Sequence, residues 1–504
     1  MIEFVWRWRV ALMASIVGVV AAIMRFGSLG YPQALVFDEV FYARGAYSLV
    51  TMGYEGEWGG ENQDFANGDL SQLSAEADYV VHPNLGKLMI GWGIQMFGPT
   101  PYGWRFMAAV VGVATVIMIA FIARHLLRST LWGGVAGLFL AVEGEHVVLS
   151  RTALLDIFLT FFIVAAMGLL VIDRTSAHRR LLAAAAFDRE RLGLGPGSLI
   201  PGQGPNLGIR WWRLAAIATF GLSVSVKWNG LYFAAAFLVL SVIWDWYDRK
   251  KCGWENWFAG GFVRAIPAFF ATIIVVPLVY LASWIPWFRS ENSWGRHWAE
   301  NNPGEGLTWL PDSLNSLVHY HEQMLEFHRG LDSPHNYESN PWGWPLQIRP
   351  TAFYFEDVTD VDCGAERCIS AIHGIGHPLI WWVGAAVLLY ALWRIFRHRD
   401  MLALTVTTGY LAAWLPWLPF AHRTIFTFYT VTMAPFLVLM VVWAMKRLAQ
   451  PDHRRGKWWK PGAIICAVYI GLVLILAGFF YPVWTGEPIP FEYWQMHMWL
   501  PSWV

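Results

Sequence analysis

The sequence predicts an all-α polytopic membrane protein, and three observations carry that expectation. Hydrophobic residues make up 56% of the 504 and charged residues 14%, where a soluble chain carries about 25% charged. The mean hydropathy is +0.40. The 32 Trp and 32 Phe supply the rings that are enriched where helices cross membrane interfaces. A soluble enzyme and a disordered chain are poor fits to this composition. Zero formal net charge removes the general electrostatic case for a nucleic-acid partner.

A helix needs about 20 mostly apolar residues to cross the hydrocarbon core. Eleven runs qualify, near 8–28, 103–124, 131–149, 153–173, 212–228, 230–247, 263–286, 377–396, 401–419, 426–445 and 462–483. The third and fifth are the most polar at their ends, which hold Glu143 and Lys227. The first is too long for a signal peptide, and Arg25 interrupts its end with no small-residue cleavage site after it.

Charge sets the orientation, because Lys and Arg resist translocation. A cytoplasmic N-terminus puts Arg7, Arg9, Arg124, Arg128 and the basic residues of 174–213, 249–264, 394–399 and 446–460 inside, 24 of the 36 in the chain. An odd number of spans then leaves the C-terminus extracytoplasmic, with the acids Glu487 and Glu492. The whole chain, 1–504, reads as one integral membrane domain with two large extracytoplasmic loops, 29–102 and 287–376. The first carries an acidic tract (Glu55, Glu57, Glu61, Asp64, Asp69, Glu76, Asp78), expected to be solvated and lacking the EF-hand pattern. The cytoplasmic stretch 188–210 has the Gly/Pro composition of a flexible linker.

Cys363 and Cys368 form a C-x4-C pair in the second loop, where a local disulfide is expected in an oxidising space. A metal there would need His373 and His377 as further ligands. His319, His321, His328 and His335 lack a recognised zinc spacing, so acceptor contact or packing is expected of them. Cys252 and Cys466 read as isolated thiols.

Ionisable groups at membrane depth are costly and therefore candidates for function. Arg25 precedes the adjacent acids Asp38 and Glu39, which cannot face the same way on a helix. Two readings stand for that pair: Asp38 as a helix N-cap, or an acid of a catalytic site. His82-Pro83-Asn84 leads through Gly86 to Lys87, either a site residue or an interfacial lysine that snorkels. Arg105 follows at the end of the second span. Glu143, Glu145, His146, Arg151 and Asp156 crowd one turn, where an Arg151–Asp156 ion pair is the structural alternative to catalysis. Lys227 and His422-Arg423, with Tyr429 beyond, occupy two further turns. Arg25, Lys87, Arg105, Arg151, Lys227 and Arg423 all fall at one membrane boundary. Six cations at one depth suggest a bound anion, and a lipid phosphate lies at that depth. Carboxylates beside it could act as general base toward a hydroxyl. No nucleotide motif of the GxGxxG or GxxxxGK[ST] kind is present.

These motifs resemble those of the protein O-mannosyltransferases, polytopic enzymes of the GT-C glycosyltransferase class. The resemblance runs through FDEVFYARGAYSLV at 37–50, HPNLGKLMIGWG at 82–93, WRFMAAVVG at 104–112, SRTALLDIFLTFF at 150–162 and SVKWNGLYF at 225–233. It continues in PWGWPLQIRP at 341–350, GHPLIWW at 376–382 and HRTIFTFYTVTMAP at 422–435. The chain departs from the family in three places. The loop 287–376 is too short for the MIR domain of eukaryotic members, His-Pro-Asn at 82–84 replaces a commoner His-Pro-Pro, and His377 stands where an Asn often precedes Pro. The resemblance is strongest to bacterial, actinobacterial-type members.

The resemblance implies transfer of mannose, with inversion, from a polyprenyl-phosphate-mannose donor to Ser/Thr hydroxyls of exported proteins at the outer face of the cell membrane. It implies an acid of the Asp38-Glu39 pair as base, assigned to Asp38 with Glu39 as the alternative. Arg25, Arg105, Lys227 and Arg423 would serve the phosphate or hold the acids, with Arg151 beside them. His82 and Lys87 would shape the site, and Asp156 would orient its neighbours. The lipid donor, exported Ser/Thr-rich proteins and the secretion machinery are the implied partners. No cofactor is called for, and a divalent ion stays open. Two rivals remain: another lipid-linked sugar transferase acting on glycolipid or polysaccharide, and a transporter, which would gather its polar residues near the midplane.

Overall fold

A computed structural model describes residues 2–359, 361–451 and 457–504, with side chains from 8 onward. The Arg7 side chain and Arg454 and Arg455, counted above for orientation, lie outside the described residues. Among those described, eight helices are long and apolar enough to cross a membrane. They are Trp8–Phe26, Pro101–Leu127, Leu155–Arg191, Gly230–Cys252, Trp257–Ser283, Pro378–His398, Met401–Phe420 and Lys460–Thr485. This is a multi-pass membrane protein.

The other three expected spans are helical but shorter, each for a local reason. The run at 131–149 breaks after Thr130–Ala141, because Glu143 caps a new helix, Gly144–Leu149. The run at 212–228 stops at Val224, where the backbone turns through Ser225 to Asn229. The run at 426–445 opens as a 3-10 turn, Thr427–Thr432, and becomes α-helical only at Ala434–Ala449, with Pro435 in its first turn.

The chain divides into two compact units, residues 1–161 with 283–504, and 162–282. In the first, Pro101–Leu127 packs against Ile2–Phe26, Leu85–Phe97 and Thr130–Ala141. Small residues permit the close approach: a Cβ on Gly137 would come 2.6 Å from Val17 Cγ1. Ala434–Ala449 is buried along most of its length against Pro378–His398 and Met401–Trp414. Asp400 starts the last of these by accepting from the Leu402 and Ala403 amides, while pairing with Arg394 and Arg447 at 3.0 Å each.

Neither large loop is plain coil, and both hold small sheets that the all-α expectation lacked. The segment 29–102 contains helices Glu39–Met52 and Leu85–Phe97 and an antiparallel pair, Gly56–Trp58 with Leu73–Ala77. The segment 287–376 contains helix Asp312–Gly330 and strands Thr351–Val358 and Cys368–Gly374, antiparallel from Thr351↔Gly374 to Val358↔Cys368. Ile489–Pro490 adds a third strand beside Cys368–Gly374. Strands this short carry too few alternating positions to stand out in an apolar sequence. The Cys363–Cys368 disulfide forms as expected, with Cα atoms 5.8 Å apart.

In the second unit the Gly/Pro stretch is fastened, contrary to the flexible linker its composition suggests. Arg249 donates to the Gln203 carbonyl at 2.8 Å and the Pro205 carbonyl at 3.1 Å, and Arg180 to that of Leu207 at 2.6 Å. Arg210 and Arg213 each pair with both Asp173 and Asp245. Lys227 lies buried in the turn before Gly230–Cys252.

Candidate active site

The two adjacent acids diverge because the backbone arrives at them in an uncommon conformation. Phe37 has φ +51°, a left-handed value that costs a residue bearing a Cβ roughly 1 kcal/mol or more. Its ring is held among Phe353, Phe426, Phe428 and His335, with centroids 5.2 to 6.0 Å away. Asp38 then takes the N-cap position of Glu39–Met52 without making a side-chain capping bond. The capping alternative therefore fails.

Glu39 is fully buried and fully used. It accepts from Arg105 at both oxygens, from the Val36 amide at 2.9 Å and from the Ala153 amide at 2.9 Å. Arg105 completes its own donors on the carbonyls of Leu29, Pro32 and Ala34. A bidentate buried pair of this kind positions backbone as well as charge. Arg105 is thus the cation that holds the acid, not Arg25.

Most of the six boundary cations are engaged with protein groups, which corrects their expected role as a common phosphate cradle. Arg25 donates to the carbonyls of Ala21, Leu140 and Ala141 and meets His146 Nδ1 at 2.8 Å. Arg151 caps the first helix through the carbonyls of Arg25 at 3.0 Å, Gly27 at 2.5 Å and Ser28 at 3.2 Å, in place of the ion pair expected with Asp156. Lys87 is buried, donates to the His82 carbonyl at 3.1 Å and pairs with Glu55. Glu55 is accordingly buried, against the solvated tract expected. Burial holds its carboxyl above the usual range, and Lys87 opposes that. Arg423 differs from these four: among the described residues its half-buried guanidinium makes no ion pair, and its Nε has no hydrogen-bond partner.

The groups that do converge surround Tyr42, four residues beyond Asp38 and hence on the same helix face. Burial raises its phenol well above the usual range, and the charges of Asp38, Asp156 and Glu55 and the Tyr429 phenol add to that. Asp156 sits in the first turn of Leu155–Arg191, where the helix dipole favours a carboxylate. The His82 ring lies 6.2 Å from Tyr42 and stacks on His328 at 5.1 Å. His328 Nε2 reaches the Val81 carbonyl at 2.9 Å, tying helix Asp312–Gly330 to the 81–87 turn. Tyr42 escaped the sequence reading, though the i+4 spacing from Asp38 could have found it; His328 was expected only to contact acceptor or to pack, and no local signal ties it to the 81–87 turn.

Glu143 is a fastener between segments. It accepts from the amides of His146 at 2.8 Å and His377 at 3.0 Å and from Trp381 Nε1 at 2.9 Å. Glu145 is wholly buried, with neither oxygen hydrogen-bonded. His373 accepts from Trp494 Nε1 at 3.0 Å, and burial with the nearby His497 lowers its pKa to about 4. The remaining loop histidines pack: His319 stacks on Trp298 at 4.0 Å, and His321 Nδ1 meets the Leu317 carbonyl at 2.6 Å. Among the described residues no three His, Cys, Asp or Glu side chains gather as a metal site.

The carboxylates of Asp38, Asp156 and Glu55, the Tyr429 phenol and the His82 imidazole thus all lie within reach of Tyr42, while Arg105 holds the Glu39 carboxylate. A relative from Mycobacterium tuberculosis, named polyprenol-phosphate-mannose–protein mannosyltransferase, is 35% identical over 502 residues, covering 98% of this chain and 92% of its own. The chain belongs to the protein mannosyltransferase family. A Corynebacterium glutamicum protein of the same name is 33% identical over 503 residues, covering 97% and 92%. The family model described as dolichyl-phosphate-mannose-protein mannosyltransferase matches 95–186, and that of the C-terminal four TMM region of protein-O-mannosyltransferase matches 313–503. Those windows hold Arg105, Arg151, Asp156 and Arg423 of this mannosyltransferase. The fold is also that of the Saccharomyces cerevisiae protein O-mannosyltransferase Pmt1-Pmt2 complex bound to the sugar donor. There the TM-score is 0.70 at 15% identity, over 98% of this chain and 93% of that one. The protein mannosyltransferase is thus a membrane glycosyltransferase of GT-C type.

Proposed function

We propose that this mannosyltransferase moves mannose from polyprenyl-phosphate-mannose to Ser or Thr hydroxyls of exported proteins, with inversion. The reaction takes place at the extracytoplasmic face of the cell membrane, with the N-terminus cytoplasmic and the C-terminus outside. The observation that carries this reading is the divergence of Asp38 and Glu39. Arg105 and two amides consume the second acid, while the first makes no capping bond and lies near enough to Tyr42 for its charge to raise the phenol pKa.

Asp38 takes the proton of the acceptor hydroxyl as its oxygen bonds to mannose C1. The C1–O bond to phosphate breaks, and polyprenyl phosphate leaves with the electron pair. Phosphate is a good leaving group, so no general acid is required. Its growing charge needs a cation, an electrostatic contribution that is often the largest in such steps. Arg423 supplies that cation. Glu39 positions the Asp38 backbone through Arg105. His82 and Lys87 shape the turn beside Tyr42, and Asp156 orients the phenol. Arg25 and Arg151 secure the end of the first helix. The family and the printed names of the relatives support the donor and acceptor classes.

The test is a donor and acceptor screen with the detergent-solubilised full chain, polyprenyl-phosphate-mannose and a Ser/Thr-rich peptide. Peptide carrying mannose of inverted anomeric configuration is expected. Transfer to glycolipid and never to peptide would defeat the reading.

A further inference from the structure

Pro378–His398 and Met401–Phe420 are joined by the turn 399–400 and pack side by side, so Pro378 and Phe420 lie at the same membrane face. The 3-10 helix Pro341–Leu346, in the segment 287–376, is fastened to both. Trp382 Nε1 donates to the Leu346 carbonyl at 3.0 Å, and Trp414 Nε1 to the Pro341 carbonyl at 2.7 Å. Both tryptophans sit inside the spans, four positions after Pro378 and six before Phe420. Side chains of an α-helix slant toward its N-terminus, which for Trp414 is away from that face. Residues 341–346 therefore descend alongside the spans instead of standing above their ends.

Irregular backbone at such a level needs its polar groups satisfied by protein. Pro341 and Pro345 carry no N–H at all. The amides of Trp342 and Gly343 donate to Asn340, that of Gln347 to the Trp344 carbonyl and that of Ile348 to the Gly343 carbonyl. The Gln347 carbonyl accepts from Trp503 Nε1 at 2.8 Å, and the Ile348 carbonyl from the Ser502 hydroxyl. The side chains turn the other way: Trp342 is 64%, Leu346 45% and Ile348 42% exposed. The Trp342 ring meets Trp414, beside the exposed Leu415 and Phe420, and the Trp499 ring lies 6.0 Å from Trp382. Neither 341–348 nor 411–420 holds a charged residue. A contiguous exposed apolar surface marks contact with a membrane or a protein, and continuity with two spans selects the membrane.

We propose that residues 341–348 form a re-entrant hook seated in the lipid leaflet beside Pro378 and Phe420, with Trp342, Leu346 and Ile348 against lipid. Its depth is that of an interfacial helix, about 5–10 Å into the boundary of headgroups and acyl chains. The protein side of the hook reaches the candidate site, because buried Trp344 lies 6.2 Å from Tyr429. One short segment thus joins the lipid seat to the site. The hook does not depend on which residues carry out transfer.

The test is spin-label accessibility on the full chain in phosphatidylcholine nanodiscs, with the free thiols Cys252 and Cys466 replaced by alanine. A nitroxide is attached in turn to Trp342→Cys, Leu346→Cys and Ile348→Cys, and to Glu326→Cys on the exposed side of Asp312–Gly330. Molecular oxygen concentrates in lipid and a nickel chelate in water, so their collision rates with the label tell the two surroundings apart. Oxygen should dominate at the three hook positions and the chelate at Glu326→Cys. Three positions are read so that loss of one variant to misfolding leaves two. Dominance of the chelate at the hook positions would overturn the proposal. Labels there shielded from both reagents would overturn it too, and spin–spin broadening would then assign the surface to a second copy of the chain.

Discussion

Arg105 holds Glu39 through two parallel hydrogen bonds, Nε to Oε1 and Nη2 to Oε2, each 2.8 Å long and both buried. The same carboxylate receives the Val36 and Ala153 amides. One ion pair therefore joins the Asp-Glu turn, the helix Pro101–Leu127 and the turn before Leu155–Arg191.

Removing one partner of a buried pair costs about 3–5 kcal/mol, because the other is left uncompensated. Arg105→Ala should therefore lower the unfolding midpoint in detergent and abolish transfer along with it. Arg105→Lys should recover little, since an ammonium cannot make the two-bond fork. Wild-type stability in Arg105→Ala would show that the pair does not secure the turn.

Arg423→Ala should behave in the opposite way. Among the described residues its guanidinium makes no ion pair and its Nε no hydrogen bond, so folding should be unaffected. Donor use should fall about 10²–10³-fold if it neutralises the leaving phosphate. Loss of stability equal to that of Arg105→Ala would assign it a structural role instead.

Phe37→Ala should keep the left-handed backbone but lose the cage of Phe353, Phe426, Phe428 and His335. A displaced Asp38 lowers the chemical step while donor binding persists, and misplacement of about 1 Å costs on the order of 10²-fold. Unchanged turnover would mean that the ring does not aim the acid.

His373 gives a pH prediction. Its folded pKa of about 4 lies below the usual 6.5. The stabilisation is then complete above 6.5 and lost as pH falls toward 4, by roughly 3 kcal/mol at 1.36 kcal/mol per unit. His373→Gln can still accept from Trp494 and should lack this share of the acid transition. Identical pH–stability curves would contradict the assignment.

The membrane-spanning runs were legible because length and apolarity are local properties. The Cys363–Cys368 bridge was legible for the same reason, as its partners are five positions apart. The partners of the cations were not. Arg105 meets Glu39 across 66 positions, and Arg25 reaches the carbonyls of Leu140 and Ala141 across more than a hundred. Composition shows that buried cations need partners and leaves open which acid or carbonyl supplies them. Glu55 looked like one acid in a solvated tract, and only the folded loop reveals that it neutralises Lys87. Six cations at one depth suggested one bound anion, yet four serve the fold. Motif resemblance located Asp38 and Glu39, and only the folded chain shows that Arg105 holds Glu39.

The most direct measurement is mannose transfer by purified Asp38→Asn and Glu39→Gln, with donor binding and unfolding recorded on the same samples. Asp38→Asn keeps shape but cannot take the acceptor proton, so turnover should fall about 10²–10⁴-fold, with donor binding and stability retained. Glu39→Gln should unfold more readily, because Arg105 loses its counter-charge. Wild-type transfer by Asp38→Asn, with a stable but inactive Glu39→Gln, would place the base at Glu39 and contradict the assignment made here.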